Sequence, residues 1–107
     1  MHAHKFEHET LIAFQLLAEV SRWLAKARFP RGMSSLRDHA IRAAQSAALN
    51  TAEGRARTGQ ARRNHYEIAR ASAAEACAAL SLVDLSSGAD QQQKLRRAGA
   101  MLKGLGG

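Results

Sequence analysis

Proline occurs once in the 107 residues, cysteine once, tyrosine once and tryptophan once, and acidic residues number nine against sixteen lysines and arginines. A single cysteine, Cys77, excludes an internal disulfide framework and suits a reducing compartment. The scarcity of β-branched residues and of internal prolines removes the usual signals for strands. No apolar run approaches the length of a membrane span. The opening MHAHKFEHE places acids and histidines where a signal peptide has a basic and then an apolar stretch. These absences lead to the expectation of a cytoplasmic protein.

What is present is Ala, Leu, Arg, Glu and Gln, the strong helix formers. A chain of this length is one domain with one core, expected over residues 1–107 with a frayed N-terminus at 1–8 and a flexible Gly-rich tail at 104–107. Punctuation divides it into four helices. The first is expected over about Glu9 to Arg28, stopped by Phe29-Pro30 and Gly32. The second starts from Ser34 or Ser35 as N-cap and stops at Gly54 as C′ residue. The third covers Thr58 to about Leu85, before Ser86-Ser87-Gly88, and the fourth about Asp90 to Lys103. Short connections between long helices predict an all-α, antiparallel up-down four-helix bundle.

On helix one the polar positions His8, Gln15, Glu19, Arg22 and Lys26 share one narrow sector. Leu11, Phe14, Leu17, Ala18 and Leu24 form one apolar face, and Ile12, Leu16, Val20, Trp23 and Ala27 a second. Two apolar faces on one helix predict self-association through Leu16, Val20 and Trp23, unless the loops and the short fourth helix cover the second face.

Net charge is +7 with histidine neutral, and twelve of the sixteen cations are arginine, the residue suited to bidentate contacts with phosphate or carboxylate. Between Gly54 and Arg70 lie Arg55, Arg57, Arg62 and Arg63 with only Glu67 in opposition, at the start of a helix where free N–H groups already favour anions. Tyr66 within this run is either a core residue or a stacking platform for a base. On helix two, His39, Arg42, Ser46, Asn50 and Glu53 recur at spacings of three and four and so share one face. That face is either solvated, or Asn50 and Glu53 are structural and Arg42 faces a ligand. Glu75, on an alanine-rich helix, is expected inward with Arg42 or Asn50 as partner, or else at the boundary with its head in water.

Catalytic patterns do not assemble. Gly54 and Gly59 have P-loop separation, but Gln60 and Ala61 stand where Lys and Ser or Thr are needed. His4 and His8 have helical metal-ligand spacing but lie in the expected frayed terminus. Cys77 reads as a small buried hydrophobe, and no carboxylate pair has an acid–base context. A non-enzyme without metal or cofactor is expected.

Leu36, Arg42-Ala43, Ser46, Asn50, Ala52-Glu53-Gly54, Arg57, Ser72 and Glu75, with the Phe29-Pro30 stop, resemble the bacterial four helix bundle protein family. This is also called the 23S ribosomal RNA intervening-sequence protein family and includes accessory variability proteins of diversity-generating retroelements. The resemblance implies a ring-like homo-oligomer, commonly a pentamer, with a basic surface that in retroelement members engages nucleic acid and a reverse transcriptase. It implies structural roles for Asn50, Glu53 and Glu75, and pairing or ligand contact for Arg42 and Arg57. From charge and resemblance together, the expected function is nucleic-acid binding, to RNA or DNA with little sequence preference, through Arg42, Arg55, Arg57, Arg62 and Arg63. The alternative is an oligomeric adaptor docking an acidic protein such as a reverse transcriptase.

Overall fold

Helices and short connections account for the chain in the computed structural model, which describes residues 2–106, with side chains from 7 to 105. The order is α1 (His2–Lys26), α2 (Ser34–Ala56), α3 (Gly59–Leu80) and α4 (Gly88–Gly106). Each helix packs on two others, α1 on α2 and α4, and α3 on α2 and α4, which makes a four-helix bundle. Helix α1 begins at His2 rather than Glu9, and α4 runs on to Gly106 through the expected tail.

The core has two halves of different composition. Ala40, Ala43, Ala44, Ala47 and Ala48 of α2 face Ala69, Ala73, Ala76 and Ala79 of α3, so these two backbones approach closely. Ala13, Leu17, Val20 and Leu24 of α1 meet Leu95, Ala98 and Leu102 of α4. Val20 is fully buried, which removes it from the expected oligomer interface, and Leu16 and Trp23 are half-buried against the core. The two apolar faces of α1 are what a helix with two neighbours requires: the buried seam runs between them, and its flanks lie toward α2 and α4. The polar sector from His8 to Lys26 is exposed as its spacing predicts.

Helix ends differ from the sequence expectation for local reasons. Met33, not Ser34 or Ser35, is the N-cap residue of α2, and its carbonyl accepts from Arg37 N. Helix α3 stops at Leu80, because Ser81, Leu82 and Val83 tighten into three-residue hydrogen bonds and the Ser81 hydroxyl competes for the Ala78 carbonyl. Gly54 is not a C′ glycine. It lies within α2, buried, where a Cβ would sit 2.5 and 2.6 Å from two ring carbons of Tyr66, so the helix carries a notch for that ring.

Candidate nucleic-acid interface

The α2/α3 corner holds the arginine cluster, and the cluster divides by function. Arg62, in the first turn of α3, reaches back: its Nε donates to the Gly54 carbonyl at 3.1 Å and an Nη to the Arg55 carbonyl at 3.1 Å. It thereby adds a second donor to the Gly54 carbonyl, which already accepts from Arg57 N, and a donor to the Arg55 carbonyl at the end of α2. Arg37, at the same position of α2, does the same for α1, donating to the carbonyls of Ala25 at 2.8 Å and Ala27 at 3.1 Å. Arg62 is therefore a capping residue turned toward the protein.

The remaining arginines face outward. Arg55 pairs with Glu7 at 2.6 Å, and this contact raises its pKa above the ordinary guanidinium value. Arg57 pairs with Glu53 one turn back at 2.7 Å, and Arg63 shares the side-chain oxygen of Gln60. Both ion pairs are about half exposed, a setting in which such pairs add little to stability and exchange easily for another anion. Thr58, the N-cap residue of α3, makes no side-chain capping bond, so the first N–H groups of α3 add to the positive field of the corner. Arg42 is exposed on the outer face of α2, thirteen residues and so about 20 Å before Arg55, and does not join the corner.

A polar ladder fastens the side of α2 to α3. Ser46 Oγ lies 2.9 Å from Ser72 Oγ, and the Asn50 amide nitrogen donates to the Ser46 carbonyl at 2.9 Å. The Asn50 oxygen is thereby left to accept from His65 Nδ1 at 2.9 Å, which fixes the proton on that ring nitrogen. His39 and Glu75 meet at 3.0 Å near the other end. Glu75 is more than half exposed and its partner is neither Arg42 nor Asn50, so the inward placement is corrected: its turn of α3 points to the α2/α3 rim. Asn50 lies in this ladder, and Glu53 lies outside it, pairing with Arg57 one turn on.

Tyr66 is a core residue, 1% exposed, with its hydroxyl 3.2 Å from that of buried Thr10. Burial raises its pKa above the usual tyrosine value. The Tyr66–Gly54 contact and the Arg62 cap escape sequence reading because each joins residues whose proximity depends on the corner's conformation. Among the described residues no group of three or more His, Cys, Asp or Glu is placed to hold a metal ion, and the side chain of His4 lies outside them. Among the described residues no helix is long and apolar enough to cross a membrane.

Between α3 and α4 runs a second feature, an open-sided groove of about 430 Å³. Ala73, Ala74, Cys77, Leu95, Gly99 and Ala100 are among its lining residues, with Arg70, Arg96 and Lys103 at its edges. Compared with known proteins, the chain matches no family model, no curated protein and no solved structure.

Proposed function

We propose that the protein is a non-catalytic, cytoplasmic nucleic-acid-binding module, acting as a homo-oligomer and contacting phosphates through Arg55, Arg57 and Arg63 at the α2/α3 corner and Arg42 along α2. One observation carries the reading: a chain of net charge +7 gathers four arginines at one corner, two of them paired with Glu7 and Glu53, with three of the four turned outward. Contacts of this kind track the backbone and confer little sequence preference. A ring of subunits, which the family resemblance implies, repeats the corner and multiplies a weak contact for a ligand that spans subunits. Exposed Leu49 and Ile68, on the outer surfaces of α2 and α3, support assembly, whereas Leu16 and Trp23 offer only their half-exposed edges.

The test is a titration with long and short RNA and DNA across a salt series, with the assembly state read by sedimentation. Steep loss of affinity with salt and weaker binding of short strands are expected; salt-independent or absent binding contradicts the proposal. A second reading, docking of an acidic protein partner such as a reverse transcriptase, is favoured by the α3/α4 groove with its cationic edges.

A further inference from the structure

The groove is walled by α3 from Arg70 to Ala78, with Ser81 just past its end, and by α4 from Gln92 to Lys103. Each run covers eleven residue steps, so the trough is about 17 Å long, three helical turns. Alanine and glycine along both walls leave room for a third backbone, and the ridge-and-groove spacing of two helices suits a helix better than an extended strand. Gln92 pins the walls together, donating to the Cys77 carbonyl at 3.2 Å. Past Arg70 and Lys103 the trough opens into a more polar cleft of about 360 Å³ that also includes Arg63 and Glu67.

Charge selects the occupant. Arg70 pairs with Glu67, but Arg96 and Lys103 have no hydrogen bond or ion pair among the described residues, and no acidic residue is among those lining the groove. Charge of one sign around an apolar floor attracts the opposite sign and repels another copy of this basic chain. We infer that the α3/α4 groove is a docking site for an amphipathic helix of a partner protein, with apolar residues at i, i+3, i+4 and i+7 on its floor and carboxylates against Arg70, Arg96 and Lys103. This specifies the second functional reading and is independent of whether the arginine corner binds nucleic acid.

The probe is a fluorescent 15-residue peptide carrying leucines at those spacings with glutamates on both flanks. Its controls are the same peptide with lysine for glutamate and a scrambled version of the acidic one. The full chain should bind the acidic amphipathic peptide about tenfold or more tighter than either control, and the bound peptide should slow alkylation of Cys77 in the groove. Gly99→Leu fills the trough without harming the fold, because a Cβ there meets nothing within 4 Å and leucine is the stronger helix former. It should weaken the peptide about tenfold, as should Arg96→Glu with Lys103→Glu. Equal binding of the scrambled peptide, or unchanged binding by folded Gly99→Leu, overturns the inference. Displacement of the peptide by oleate at lower concentration, or a change in assembly state on Gly99→Leu, overturns it in favour of an acyl chain or a second copy. RNA affinity of Gly99→Leu should equal that of wild type, so failure here and failure at the corner are separately visible.

Discussion

Helices α2 and α3 meet through alanine and hydrogen bonds, whereas α1 and α4 meet through leucine. Leucines of defined shape specify register by interdigitation, since a shifted pairing leaves voids or clashes. Alanines lack that shape: slide α3 by one turn along α2 and alanine again meets alanine. Register on this side therefore needs other devices, and the structure supplies the Ser46–Ser72 and Asn50–His65 bonds and the Tyr66 ring seated on Gly54. Close approach and register are separate requirements, and α2/α3 meets them with different residues.

The contrast breaks most sharply at the notch. Gly54→Ala places a methyl group against the buried Tyr66 ring, and overpacking of this kind costs about 1–3 kcal/mol. Better helix propensity offsets only part of this, so thermal unfolding should show a clear fall in melting temperature. An unchanged melting temperature would show that Tyr66 does not set the register.

A smaller effect should follow Tyr66→Phe, which removes the hydroxyl bonded to Thr10 and should cost about 0.5–1.5 kcal/mol. The same residue gives a pH signature. Its folded pKa is raised by burial, so above the unfolded value of about 10 the unfolded chain loses the proton first, and stability falls as pH rises through that range. Tyr66 is the single tyrosine, so its absorbance titration reads this directly, with a midpoint above the ordinary value. A phenol titrating at the ordinary value, or the same alkaline loss in Tyr66→Phe, would place the ring in solvent.

The smallest effect is expected at Glu75. Its pairing with His39 is half exposed, so Glu75→Ala should change stability by less than about 0.5 kcal/mol in chemical denaturation. A loss of several kcal/mol would return Glu75 to the interior and make the ladder longer than described.

The helix count, the antiparallel order and the stop at Phe29-Pro30 are legible in the sequence because they rest on propensity and periodicity, which are local. So is the exposed sector from His8 to Lys26. Gly54 misleads because a glycine that ends a helix and a glycine that admits a ring look alike until the ring's position is known. Glu75 misleads because its angular position falls at the edge of the buried arc, where a small rotation of α3 separates core from rim. Val20 misleads because two apolar faces on α1 signal two partners, and periodicity does not say whether both belong to the same chain. Of the arginine cluster, the position is legible and the division of labour is not, since Arg62 is a cap only once α3 folds back on α2.

That division gives the most direct test of the account. Arg42, Arg55, Arg57 and Arg63 face outward, and none of them donates to a helix-end carbonyl as Arg62 does. A variant with all four changed to Ala should keep the fold, since it loses only exposed contacts, while Arg62 remains to cap α2. Binding of long RNA to this variant and to wild type, measured across a salt series, should differ in slope. Each lost phosphate contact lowers the dependence of log affinity on log salt by roughly 0.7, with no change in sequence preference. Equal affinity and equal slope for the folded variant and wild type would contradict the account.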